Sequence, residues 1–283
     1  MTDFKKHPTI DPKALSKRVE KIIKAELANH SRIEALRKIL SIIDLTSLKG
    51  DEKEEDILAL CKLARSFADE EQSIPTVAAI CVYPPFIPQA ADLLSDTDIL
   101  LAAVAGGFPG GDSPTALKVE EVREAQKLGA EEIDMVMNYS LFLEGKYEAV
   151  ADDIAAVKSV CRDIDLKVIL ETGKLGSPDN IRKASEIAIE AGADFLKTST
   201  GKTEPAATLE ALLVMSEVVK DYYEHTGIII GLKPAGGIRE PVQAFHYLSI
   251  VYHILGAQWL SPEFFRIGAS QLAVKVFEEL KGS

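Results

Sequence analysis

The sequence predicts a (β/α)8 fold, the TIM barrel, with an N-terminal helical extension. Three observations carry this expectation. Short apolar runs alternate with amphipathic helical stretches from about residue 41 onward, and eight of the runs read as strands. Eight βα units over roughly 240 residues suit a closed parallel barrel, which typically takes about 250. Glycine-alanine pairs recur at Gly129–Ala130, Gly192–Ala193 and Gly256–Ala257, ahead of strand-like runs, where a left-handed glycine stops a helix. An open dinucleotide-binding sheet fits less well. The glycine-rich VAGGFPGGD (Val104 to Asp112) lacks the GxGxxG spacing, is interrupted by Pro109, and reads as a mobile loop after the third strand.

Taken in order, residues 1–11 are polar and read as a loose start. From Pro12 to Leu40 the spacing is helical: Leu15, Val19, Ile22 and Ile23 share one face, and Ile33, Leu36 and Leu40 mark a second segment. This divides the chain into an extension over 1–40 and a barrel over 41–283. The expected strands are Ile42–Leu45, Val77–Val82, Ile99–Ala105, Glu132–Met137, Leu166–Glu171, Ala193–Thr198, Ile228–Lys233 and Phe265–Gly268. Helices are expected between them, among others at Pro114–Leu128, Tyr147–Val160, Pro178–Ala191 and Thr208–Tyr223.

Composition narrows the function. The 283 residues are 47% hydrophobic and 27% charged, ample for a large core. A net charge of −12 argues against nucleic acid as the main partner, yet leaves room for one basic pocket. Cys61, Cys81 and Cys161 are odd in number and far apart, which suits a reducing compartment. The start, MTDFKKHPTIDPK, lacks the apolar core of a signal peptide, and no apolar run reaches membrane-spanning length. The expected location is the cytoplasm.

Catalytic groups of such a barrel sit at the C-terminal ends of its strands. Those ends carry Asp44, Cys81, Asp134, Lys167, Glu171, Lys197, Thr198, Thr200 and Lys233. The stretch GADFLKTSTGK (Gly192 to Lys202) stands out, because a lysine ending a buried strand has few waters to hold its charge. The plain alternative is a lysine that snorkels out into solvent. Lys197 and Lys233 end neighbouring strands, which lie about 4.8 Å apart. Two ammonium groups roughly 5 Å apart at an effective dielectric near 20 repel by about 3.3 kcal/mol. That is enough to bring one of the two amines close to neutral pH as a nucleophile. Asp134 is then the carboxylate that balances the remaining charge; a purely structural Lys–Asp–Lys cluster is the competing reading.

Phosphate has its own candidates in Gly201 and Lys202 after the sixth strand, Gly236, Gly237 and Arg239 after the seventh, and Gly268 and Ser270 after the eighth. Loops after the seventh and eighth strands commonly cradle phosphate. None of the five histidines falls at a strand end, so a zinc site has no imidazoles, and no metal or other cofactor is expected. Cys81 reads as a small buried hydrophobe rather than a nucleophile, and the lone Trp259 as core packing.

The blocks IDLT, AAICVYP, EEIDMVMN, LKVILET, GADFLKTSTGK, GLKPAGGIR and FRIGAS resemble, in that order, those of the deoxyribose-phosphate aldolase family. The resemblance runs from about Ile39 to Leu280 and is most like the longer members with an N-terminal extension. It implies a metal-free class I aldolase cleaving 2-deoxy-D-ribose 5-phosphate to D-glyceraldehyde 3-phosphate and acetaldehyde. By the same resemblance Lys197 forms the Schiff base, Lys233 lowers its proton affinity, and Asp134 relays protons. Asp44, Cys81, Lys167 and Thr200 match pocket positions. Gly201, Lys202, Gly236, Gly237, Gly268 and Ser270 match the phosphate site. Two departures stand out. Gln271 replaces a second serine of some members, and the ending Glu279-Leu280-Lys281-Gly282-Ser283 lacks their C-terminal tyrosine, which implies either that a water takes its part or that turnover is slower. Rival readings are a Schiff-base aldolase for a larger sugar phosphate, and a phosphate-binding barrel without catalysis. The extension covers the barrel's flank or lower end, or binds a partner, and a homo-oligomer is left open.

Overall fold

A computed structural model describes residues 8–27, 31–69, 73–161 and 163–282. The expected loose start therefore lies mostly outside the described residues. Two helices come first, α1 (Pro12–Leu27) and α2 (Arg32–Ser41). Then strands β1 (Ile43–Thr46), β2 (Ala79–Val82), β3 (Leu100–Val104), β4 (Glu132–Val136), β5 (Asp165–Ile169), β6 (Phe195–Lys197), β7 (Gly231–Lys233) and β8 (Ile267–Ala269) alternate with helices. These helices are α3 (Glu54–Arg65), α4 (Ile87–Leu94), α5 (Thr115–Lys127), α6 (Tyr139–Leu143), α7 (Tyr147–Lys158), α8 (Pro178–Glu190), α9 (Leu209–Thr226), α10 (Pro241–Leu255) and α11 (Leu272–Lys281).

All ladders are parallel in the order β7-β6-β5-β4-β3-β2-β1-β8. Parallel bridges Leu232↔Phe265 and Ala235↔Gly268 close the ring between β7 and β8. The molecule is a (β/α)8 barrel. Alternation along each strand sends one set of side chains to the helices and the other inward. Ile43, Ile80, Leu101, Ile133, Leu166, Leu196 and Ile267 face outward into one continuous apolar core.

Local signals explain the helix starts. Ser177 caps α8 by accepting from Asn180 N at 3.2 Å, with Pro178 in the first turn, and Thr208 caps α9 by accepting from Ala211 N at 3.1 Å. Each such cap is worth about 1 kcal/mol. Gly192 turns the chain from α8 into β6 at φ +99°, a left-handed conformation that a side chain would strain. The third glycine-alanine pair behaves differently. Gly256 ends α10, but a short 3-10 turn (Ala257–Trp259) follows and β8 starts only at Ile267. Trp259 is buried there and donates to Ile230 O at 3.0 Å.

The strands at the seventh and sixth positions are shorter than their apolar runs suggest. Ile228, placed in a strand by sequence, is 52% exposed, so hydropathy overshoots the ladder. The loop after β3 is held down at several points: Gly107 N donates to Glu121 at 2.8 Å and Gly111 N to Gly107 O at 2.8 Å. A Cβ on Gly111 would come within 2.5 Å of Met137 O. α1 lies along α9 and α10, with Ser16 donating to Glu210 at 2.8 Å, while α2 packs on α10 and α11. No helix among the described residues is long and apolar enough to cross a membrane.

Candidate active site

Charged side chains crowd the inward positions, beside the apolar Val104, Val136, Ile169 and Phe195. β1 presents Asp44, β2 Cys81, β4 Glu132 and Asp134, β5 Lys167, β6 Lys197 and β7 Lys233, and Arg266 enters just before β8; all are buried. Register brings Lys197 opposite Lys233 and Asp134 opposite Lys167. Both Lys197 Nζ and Lys233 Nζ donate to Asp134 Oδ2 at 2.6 Å. Two nitrogens bonded to one oxygen at that distance are crowded at the same spot. A carboxylate oxygen stands between the two amines, so much of the bare repulsion argued from sequence is offset.

Lys233 also meets Asp44 Oδ2 at 2.5 Å, and Lys167 lies 2.6 Å from Glu132 Oε2 and 3.4 Å from Asp134 Oδ1. Burial would push the Asp134 carboxyl up, but the cations of Lys197, Lys233 and Lys167 hold it well below the usual carboxylate range. Asp44 is likewise pulled down against burial, by Lys233 and Arg266. For Lys233 burial pulls the other way and loses to Asp134 and Asp44, so its amine is held above the usual lysine range. Lys233 is thus a fixed cation. Burial, reinforced by Asp134, pushes the Cys81 thiol up to about 11, which keeps it neutral; its Sγ lies 4.0 Å from Asp134 Oδ2.

Above these charges opens a pocket of about 280 Å³ at the C-terminal ends of the strands. Lys197 reaches it, whereas Asp44, Cys81, Asp134, Lys167 and Lys233 lie beneath its lining. Thr200, Gly201, Lys202, Gly236, Gly237, Gly268 and Ser270 line it together, with Arg239 at the edge. Gly236, at φ +89°, lets two loops meet, since a Cβ there would lie 2.7 Å from the Ala206 Cβ and 3.0 Å from the Gly201 Cα. Gln271 opens α11 without a side-chain capping hydrogen bond, one residue after Ser270 in the pocket lining. Lys202 Nζ donates to Leu48 O and, at 3.3 Å, to Lys49 O, which ties its loop to the one after β1.

A family model described as DeoC/LacD family aldolase matches residues 38–247. The chain belongs to this family. A curated relative, the deoxyribose-phosphate aldolase of Homo sapiens, is 43% identical over 248 residues, covering 84% of this chain and 78% of that protein. A solved structure described as a putative deoxyribose-phosphate aldolase from Coccidioides immitis superposes with a TM-score of 0.74 at 31% identity, covering 94% and 97% of the two chains. A tetrameric deoxyribose phosphate aldolase from Aeropyrum pernix gives 0.68 at 25% identity, over 93% and 97%. The chain is an aldolase enzyme of the DeoC/LacD family.

Three residues of this aldolase site have roles that their sequence positions do not announce. Glu132 stands two positions before Asp134 on one strand, the same face by alternation, which is the one local signal for it. Arg266 lies inside FRIGAS, a block whose turn signals are its glycine and serine. Glu171 ends the expected fifth strand without a sequence pattern that assigns it a part. It adopts φ +51° and accepts from Thr200 Oγ1 at 2.6 Å, fixing the hydroxyl in the pocket wall. A left-handed glutamate costs of order 1–3 kcal/mol, and no sequence pattern announces it.

Proposed function

We propose that the enzyme cleaves 2-deoxy-D-ribose 5-phosphate reversibly to D-glyceraldehyde 3-phosphate and acetaldehyde through a Schiff base on Lys197. The observation that carries this reading is that Lys197 alone of the clustered amines reaches the pocket, with Lys233 and Asp134 bound behind it. The names of the curated relatives support the substrate. The glycine loops, Lys202, Ser270 and the start of α11 form a cradle for the phosphate.

In the cycle, neutral Lys197 attacks the C1 aldehyde of the open-chain sugar, and loss of water gives an iminium. Acetaldehyde takes two carbons and the phosphorylated product three, so the C2–C3 bond breaks and its electrons flow into the iminium. The C3 hydroxyl proton leaves toward Asp134 through a water. Asp134 is charged at rest, so it starts as an acceptor rather than an acid. The enamine that remains is protonated at C2, and the resulting iminium is hydrolysed to acetaldehyde and free Lys197. Lys233 stays charged throughout and stabilises the carboxylate that moves the proton.

The catalytic unit is read as 41–283 and the extension as 1–40, whose α1 clasps α9 and α10. A cytoplasmic enzyme acting as a homo-oligomer, without nucleic-acid partners, completes the reading. Borohydride reduction in the presence of acetaldehyde should add a two-carbon adduct to Lys197; adduct on another lysine would overturn the assignment. Retro-aldol turnover of deoxyribose 5-phosphate in EDTA tests substrate and metal independence together. A panel with two- and three-carbon donors separates this reading from an aldolase for larger sugars.

A further inference from the structure

The charges under the pocket form a closed loop that reaches the opposite end of the barrel. From Arg266 one limb runs through Glu132 (2.9 and 3.2 Å), Lys167 (2.6 Å) and Asp134 (3.4 Å). The other runs through Asp44 (2.8 Å), Lys233 (2.5 Å) and again Asp134 (2.6 Å). Both limbs meet on the carboxylate that holds Lys197. Between them lies the Phe195 ring, 5.7 Å from Lys167 Nζ and 5.9 Å from Arg266 Cζ. It fits because β7 has Gly231 there: a Cβ would lie 2.3 Å from the ring. This ring fills the lower barrel, and weak screening by water makes each charge in the loop felt by the others.

We propose that Arg266 and Glu132, which line neither the pocket nor the reacting atoms, are positioning residues that set how readily Lys197 gives up its proton. The inference rests on Lys197 being the Schiff-base amine. Strand by strand, the groups facing the loop are Asp44 on β1, Cys81 on β2, Glu132 and Asp134 on β4, Lys167 on β5, Lys197 on β6, Lys233 on β7 and Arg266 before β8. β3 offers no charge there, only Leu100, Ala102 and Val104. Asp165, on the face of Lys167, borders the lower mouth with Glu132, Arg266, Asp98 and Glu263; burial raises the Asp165 carboxyl, and the Ser261 hydroxyl, helped by Arg266, lowers that of Glu263. With the Cys81 thiol neutral, four cations face three carboxylates in the loop. One proton is surplus, and the lysine at the pocket is where it can leave to solvent or substrate. Arg266 cannot lose its own proton, so it fixes the count that makes the surplus fall on an amine.

The sign of each change follows. Glu132→Gln removes a negative charge, so the surplus proton is held less firmly. Arg266→Met removes a positive charge, so the proton is held more firmly. One charge acting over roughly 10 Å at an effective dielectric near 20 moves a titration by about one pH unit. The test is the pH dependence of reductive labelling of Lys197 by acetaldehyde and cyanoborohydride, read by mass spectrometry of the full chain. The labelling midpoint should fall by about one unit in Glu132→Gln, rise by about one in Arg266→Met, and return to the parent value in the double variant. Should Arg266→Met not fold, the double variant, in which neither charge is left alone, and Glu132→Gln still decide. Equal midpoints in all folded variants overturn the proposal. Absence of label on Lys197 in the parent enzyme instead overturns the Schiff-base assignment beneath it.

Discussion

The outward and inward faces of the same eight strands are held by different forces. Outward, Ile43, Ile80, Leu101, Ile133, Leu166, Leu196 and Ile267 bury apolar surface against the helices, at about 25 cal/mol per Å². Inward, where such barrels are usually filled with branched aliphatics, this one has Asp44, Glu132, Asp134, Lys167, Lys197, Lys233 and Arg266, nearly all fully buried. Buried ion pairs are weak evidence for stability, because desolvation offsets most of their attraction. The comparison assigns stability to the outer layer and chemistry to the inner one. A third arrangement lies behind β4, where Lys118 on α5 bonds to Asp153 on α7 at 2.6 Å and to Val136 O at 3.3 Å. That pair ties two helices to a strand end and does not line the pocket.

The sharpest way to break this division is Lys197→Leu. It should lower kcat/KM on the order of 10⁴-fold or more while the melting temperature stays the same or rises; retained turnover would end the assignment. Lys233→Leu comes next. It leaves three cations for three carboxylates, so the acid limb of the pH–rate profile should move upward and activity near pH 7 fall on the order of 10²-fold. An unchanged limb would mean the two amines are not coupled. On the outer layer, Leu101→Ala should cost about 2 to 5 kcal/mol of stability in denaturant titration and leave kcat of the folded enzyme within a few-fold.

A smaller effect concerns pH. Asp44 and Asp134 have carboxyls depressed on folding, so their contribution is complete above the usual carboxylate range and is lost as pH falls through their lower folded values. Lys233 is raised, so its contribution is complete below the usual lysine range and is lost only as pH rises past it. Between about pH 5 and 9 these three groups therefore add no slope to the melting temperature, measured in Lys197→Leu so that the amine at the pocket does not contribute. A steady slope in that variant would show that one of the three titrates. Smallest of all, Arg18→Ala removes an exposed ion pair to Glu217 between α1 and α9 and should cost less than about 1 kcal/mol.

Much of this was legible in advance, for reasons that differ by residue. Lys197 and Lys233 were found because charge at the end of an apolar run is rare. Gly236 and Gly237 stand out because a glycine pair after a strand is a turn signal, and Gly201 because it precedes Lys202 at a strand end. Arg266 and Glu132 were not, because each stands at the entry of its strand, where charged residues are usually solvated. Ile228 was placed in a strand because hydropathy measures burial against water and not pairing in a ladder.

The amino-acid order by itself determined the repeat, the alternation and hence the two-faced strands, since periodicity is a local property of the chain. Ring closure was decided only in three dimensions. It joins β7 to β8 and brings Arg266 onto Asp44 and Glu132, each more than a hundred residues before it along the chain. Coulomb interactions depend on distance through space, and no reading along the chain supplies that distance.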